Sequence, residues 1–125
     1  MRERRYGRIV VISSGAARSG LPGQVAYSAS KAGLGGMVRT IAAENAGHGI
    51  TANAVLPGMV ATENVLAMPP DVLERVRATL PAGRMVEPAE IAAVVAFLAS
   101  RDAGSVTGEE IGVDGGLRLN TMSLT

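Results

Sequence analysis

The chain of 125 residues has no cysteine and no tryptophan, one lysine, one histidine and three aromatic side chains in all. Without cysteine there is no disulfide and no thiolate metal site, and His48 alone cannot build a zinc cluster. A cysteine-free chain suits a reducing, cytoplasmic setting. Aromatics make up 2% of the residues while 47% are apolar, so the core must come from Ala, Val, Ile and Leu, which suits helices packed closely on a sheet. The formal net charge is +1. The one basic run, Arg2, Arg4, Arg5 and Arg8, reads as a solvated lead-in to a strand, so no nucleic-acid partner is indicated. Long hydrophobic runs are missing too. The apolar stretch Ile9 to Ile12 falls short of the roughly 7 to 15 residues of a signal peptide's apolar region. Nothing reaches the about 18 residues that would suggest a membrane span. The expectation is one small soluble domain with no membrane partner.

The scarcity of lysine singles out one stretch, Val25-Ala26-Tyr27-Ser28-Ala29-Ser30-Lys31. Every other basic side chain is an arginine, so the only ammonium side chain falls four residues after one of the two tyrosines. On a helix that spacing puts phenol and amine on one face, a turn apart. An ammonium held there favours the phenolate, which is a route to a general acid/base near neutral pH.

Around this pair the chain reads as alternating strands and helices. Gly7 through Ser14 is a β-branched run without alternation, as in a strand buried on both faces of a parallel sheet. Gly15 to Gly23, with three glycines and Pro22, reads as a loop. A helix is expected from about Ala26 to Ala46, with a buried stripe of Tyr27, Lys31, Leu34, Val38 and Ile41. A second row, Ala29, Gly33, Gly36, Thr40 and Ala43, carries only small side chains and predicts close helix-to-helix packing, across a subunit interface of a homo-oligomer. Gly47-His48-Gly49 offers two left-handed caps, with His48 in an exposed loop. Ile50 to Leu56 is the next strand, closed by Pro57-Gly58. Met59 to Met85 loosens into a lid region with one short amphipathic piece, Val72, Leu73, Val76 and Leu80. A helix begins at Glu87-Pro88 and runs to Gly104, with Ile91, Val94, Val95 and Leu98 as its core stripe. Gly108 to Val113 is the third strand. This order predicts three parallel strands joined by right-handed helical crossovers, an α/β fold.

Ser14 stands at the carboxyl end of the first strand, where open α/β sheets bind ligands. The set Ser14, Tyr27-Ser28-Ala29-Ser30-Lys31, the flanks Gly7-Arg8-Ile9-Val10 and Gly49 through Gly58, and the stretch Val106 through Gly116 together resemble the short-chain dehydrogenase/reductase family. Within it the likeness is to the 3-oxoacyl carrier-protein reductase type, and it covers nearly the whole chain. The resemblance implies that Tyr27 exchanges a proton with a substrate oxygen while a nicotinamide cofactor, NAD or NADP, exchanges hydride with the carbon. Lys31 would assist the phenol and hold the cofactor's ribose hydroxyls, and Ser14 would hydrogen-bond the same substrate oxygen. Pro57-Gly58-Met59-Val60-Ala61-Thr62 matches the family's PGxxxT turn and puts Pro57, Gly58, Val60 and Thr62 beside the cofactor.

Three stretches imitate other chemistry. Ser14 to Gly20 follows a strand like a dinucleotide loop, but glycines are missing where its tight turns need them. Thr107-Gly108-Glu109-Glu110-Ile111-Gly112 spells TGxxxG, yet leads into a strand and sets two carboxylates where pyrophosphate would sit, so it reads as a turn. Ser28-Ala29-Ser30-Lys31 fits SxxK, whose partner KTG needs a second lysine.

In the family the phosphate-binding glycine loop, the ribose-selecting residue and the catalytic asparagine precede a segment like Gly7 to Ile12. The resemblance therefore implies that residues 1–125 are the C-terminal catalytic half of a Rossmann-like, doubly wound NAD(P)-binding domain whose N-terminal half is absent here. Two functions fit: the catalytic portion of an oxidoreductase interconverting a ketone and a secondary alcohol, or a non-catalytic remnant that docks on a related subunit. Met59, Val60, Val65, Leu66 and Met68 make the lid apolar and suggest an apolar or acyl-chain ketone.

Overall fold

The computed structural model describes residues 1–119, and the tail expected to run to Thr125 lies partly outside them. Three strands, β1 (Gly7–Ile12), β2 (Ile50–Pro57) and β3 (Glu110–Val113), form one parallel sheet in the order β1-β2-β3. Five helices connect them: α1 (Ala16–Ser19), α2 (Val25–Asn45), α3 (Glu63–Leu66), α4 (Pro70–Ala78) and α5 (Pro88–Ala99). β2 is central and buried along its length from Ile50 to Leu56, its polar Thr51 and Asn53 included.

The period of two in β2 sorts its side chains onto two cores. Ala52, Ala54 and Leu56 pack against Val38 and Ala42 of α2, with Ile9 and Val11 of β1 alongside. Val55 faces the other way, against Leu98 of α5 and Ala103, with Val10 beside them. Alanine on the α2 side lets that helix lie close to the sheet. Helices on both faces, with the chain stepping in one direction across the sheet, cannot both be right-handed crossovers, so the expectation of two right-handed connections is corrected. The stretch from Gly58 to Glu87 is long enough to carry the chain to the second face before α5 begins.

Several boundaries also move. β1 ends at Ile12, although Ser13 still donates its amide to Val55 O at 2.8 Å. The expected loop after it contains α1, one helical turn held by Arg18 N–H to Gly15 O (3.0 Å) and Gly20 N–H to Ala16 O (3.0 Å). The lid region is ordered as α3 and α4, the latter beginning with Pro70 at a first-turn position. It is stitched to the sheet end by parallel pairing of Val60 with Val86. α5 stops at Ala99 and not at Gly104, because Ser100 turns extended and its hydroxyl donates back to Phe97 O at 2.7 Å. β3 begins at Glu110, two residues later than expected, since Gly108 is left-handed (φ 79°) and donates to Ala52 O outside the strand.

On α2 the buried positions are Gly35, Val38, Ala42 and Asn45. Of the expected stripe, Val38 is buried and Lys31, Leu34 and Ile41 are half-buried, while Tyr27 at its start is 40% exposed. Packing on β2 covers only the last two-thirds of the helix, leaving its first turns at the sheet edge. The small-residue row Ala29, Gly33, Gly36, Thr40 and Ala43 faces outward, and a Cβ added to Gly33 or Gly36 would meet nothing. Of the two expected caps only Gly49 is left-handed (φ 70°), while Ala46–His48 makes a 3-10 turn with His48 half-buried. Glycine at 49 is doubly required, because a Cβ there would also lie 2.5 Å from Arg5 O.

Candidate active site

The carboxyl ends of all three parallel strands meet at one edge, and hydrogen bonds join them. Gly15 donates its amide to Pro57 O at 3.1 Å, linking the loop after β1 to the turn after β2. Gly58 donates to Val113 O at 3.0 Å, linking that turn to β3. A Cβ on Gly58 would sit 2.8 Å from Asp114 Cα, so only glycine permits this approach. Between these ends lies a pocket of about 150 Å³ lined by Ser14, Leu21, Pro57, Met59 and Leu117, with Asp114 and Arg118 as an ion pair in its wall. Crevices at the carboxyl ends of parallel strands are where open α/β sheets take ligands.

Ser14 Oγ accepts a hydrogen bond from Ala16 N–H at 3.2 Å, which orients the oxygen and leaves its own O–H able to donate. Ser13, its neighbour, points the other way, as strand alternation demands. Ser13 is buried and donates its hydroxyl to Lys31 O at 2.9 Å. Lys31 Nζ donates to Ile12 O, also at 2.9 Å. The lysine is thus tied to the end of β1 at both its backbone and its ammonium, with two of its three N–H bonds left over among the described residues. Lys31 Nζ stands 5.8 Å from the Tyr27 ring centroid, so phenol and amine share a helix face as the spacing predicts. Neither residue lines the Ser14 pocket.

Of the remaining predicted residues, Pro57 and Gly58 are in the pocket wall, Val60 is paired with Val86, and Thr62 caps α3 by accepting from Val65 N–H at 3.4 Å. Beyond them, Arg84 donates twice to Glu90, at 2.8 and 2.9 Å, where the segment after α4 meets the start of α5. That pairing, with a further bond from Glu87 N–H, pulls the Glu90 carboxyl from 4.5 down to about 2 and raises the Arg84 guanidinium. Sequence reasoning missed Ser13, Asp114 and Arg118. Alternation along β1 carries the signal for Ser13, but nothing local shows that Asp114 reaches the Ser14 pocket, because that contact crosses from one strand end to another. The TGxxxG stretch is a turn into β3, as expected, and His48 belongs to no metal-ligating cluster among the described residues.

Comparison with known proteins finds relatives over nearly the whole chain. The family described as enoyl-(acyl carrier protein) reductase matches residues 1–118. An acetoacetyl-CoA reductase of Rhizobium meliloti is 51% identical over 117 residues, 93% of this chain and 48% of that protein. A 3-oxoacyl-(acyl-carrier-protein) reductase, FabG, of Haemophilus influenzae is 43% identical over 120 residues, 96% of this chain and 50% of that protein. The crystal structure of the TT0495 protein from Thermus thermophilus superposes with a TM-score of 0.84 at 38% identity, covering 94% of this chain and 51% of that one. The chain belongs to the short-chain dehydrogenase/reductase family. It spans about half the length of the curated relatives it matches.

Proposed function

We propose that the chain is the catalytic portion of an NAD(P)-dependent oxidoreductase that interconverts a 3-oxoacyl ketone and its secondary alcohol. The observation that carries this reading is the convergence at one sheet edge of the Ser14 hydroxyl, the Pro57-Gly58 turn and the Lys31 ammonium anchored on Ile12 O. In the reduction direction the Tyr27 hydroxyl gives its proton to the carbonyl oxygen, and Ser14 donates a hydrogen bond to the same oxygen. Alcohol oxidation runs the same transfers backwards. The residues present fit the nicotinamide end of the cofactor: Lys31 has donors for ribose hydroxyls, and Pro57, Gly58 and Met59 line the pocket beside Ser14. When bound, the cofactor supplies or takes up the hydride at the carbonyl carbon. The acyl class is favoured by the relatives' names and by the apolar side chains Leu21, Met59 and Leu117 around Ser14.

The test compares wild type with Tyr27→Phe in the full-length protein that contains this chain, measuring turnover of acetoacetyl-CoA and binding of NADH and NADPH. Loss of turnover with cofactor binding retained supports the assignment, and more than a trace of residual turnover overturns it. The same reading makes the segment from Met59 to Met85 a lid over the pocket, open to limited proteolysis in the free protein, and keeps the cytoplasmic setting. Among the described residues no helix is long and apolar enough to cross a membrane. The outward small-residue row of α2 is the proposed contact with a second copy. Gly36→Leu there should weaken assembly in analytical ultracentrifugation while leaving the monomer folded.

A further inference from the structure

The two carboxylates that disqualify the TGxxxG stretch as a phosphate loop have different fates. Glu109 is exposed, whereas the Glu110 side chain retains only 14% of its accessibility. Its Oε2 receives Arg18 Nη2 of α1 at 3.2 Å and Arg39 Nη1 of α2 at 3.0 Å. Its Oε1 occupies the space above Gly35, where a Cβ on α2 would lie 2.5 Å away. Arg18 also approaches the Glu110 carbonyl at 3.4 Å. One carboxylate on β3 therefore holds both the turn that follows Ser14 and the helix that carries Tyr27 and Lys31. α1 has no fully buried residue, its Ala16 and Ala17 being half-buried and Arg18 and Ser19 exposed. Gly35 is the one buried glycine of α2, and its missing side chain is what lets the carboxylate reach both guanidiniums.

We infer that Glu110 is a positioning residue that sets Ser14 against Tyr27 by clamping α1 to α2 through Arg18 and Arg39. The catalytic part of this inference rests on the proposed function, and the clamp itself does not. The clamp acts on placement, not on substrate, since Glu110 lies outside the Ser14 pocket lining.

Amide hydrogen exchange by NMR on the chain tests it directly. Glu110→Gln should speed exchange at Arg18, Ser19 and Gly20 by about two- to five-fold, the scale of one partly exposed ion pair, while β2 and α5 amides keep their rates. Arg18→Gln should reproduce the effect, and Arg18→Lys, which keeps the charge, should restore protection. A uniform loss across β2 and α5 would make Glu110 merely structural and overturn the inference. So would unchanged α1 exchange in both Glu110→Gln and Arg18→Gln, the second variant serving if the first fails to fold. In the full-length protein Glu110→Gln should lower kcat for acetoacetyl-CoA several-fold with KM nearly unchanged, and an equal rise in KM instead would overturn the positioning role. If the wild type turns over no ketone, the function reading falls and the exchange rates still decide the clamp.

Discussion

Both crossover helices pack on the sheet through apolar side chains, but α2 also carries directed polar ties along its length. α5 sets Ile91, Val94, Val95 and Leu98 against Val10, Val55 and Ala103. α2 sets Val38, Ile41 and Ala42 against Ala52, Ala54 and Leu56. To that packing it adds named bonds: Ser13 to Lys31 O, Lys31 to Ile12 O, Arg39 to Glu110, and Arg2 Nε to Asn45 Oδ1 at 2.7 Å. Apolar burial is roughly proportional to area and indifferent to small rotations, whereas a hydrogen bond weakens steeply with angle. A helix that only has to cover a sheet can rely on the first. One that must aim a phenol and an amine needs the second.

The comparison breaks most visibly in turnover. Tyr27→Phe should remove activity by at least about 100-fold in the full-length protein, the scale of a lost general acid/base, with little change in thermal stability since Tyr27 is half exposed. The matching change on α5, Leu98→Ala, empties a fully buried site and should cost about 2 to 5 kcal/mol in denaturant unfolding. A stability loss for Tyr27→Phe as large as that for Leu98→Ala would give the Tyr27 hydroxyl a structural role instead of a catalytic one. Ser13→Ala removes one buried tie and should cost about 0.5 to 1.5 kcal/mol, with a visible NMR shift of the Ala32 amide, which shares a peptide group with the Lys31 carbonyl. An unchanged amide would sever the proposed link between β1 and the lysine.

The smallest effect is at the start of α5, where Arg84 and Glu90 are exposed. Glu90 titrates near 2 in the folded chain against an ordinary 4.5, so its folded-state value is depressed. The stability it contributes is fully present above about pH 4.5 and is lost as pH falls through about 2. Unfolding midpoints of wild type and Glu90→Gln should therefore differ near pH 6 and converge near pH 2. Midpoints with a constant gap would mean that the ion pair does not stabilise this end of α5.

Much of this was open to reading in the residues. The lone lysine four positions after Tyr27 marks the shared helix face, and proline with flanking glutamates marks the start of α5. The β-branched runs locate β1 and β2. These signals are local, carried by spacing within one element. The helical turn α1 was hidden because its glycine-rich flanks signal a loop, and its order comes partly from Arg18 reaching Glu110, 92 positions away. The covered stripe of α2 follows the spacing from Lys31 to Ile41 but not at Tyr27, because the helix's position relative to the sheet, not its own periodicity, decides which turns are covered.

By itself the sequence determined the element order, the parallel α/β class, the Tyr27–Lys31 pairing and the serine at the end of β1. Each depends on backbone propensity and spacing over fewer than about ten residues. Only the tertiary structure decided that Ser13 turns away from the pocket to hold Lys31, that α5 crosses to the second face, and that Glu110 of β3 and Asp114 just after it come to stand against α2 and Ser14. Those facts depend on which strand ends become neighbours, and that is set by how the two apolar faces of β2 are each covered.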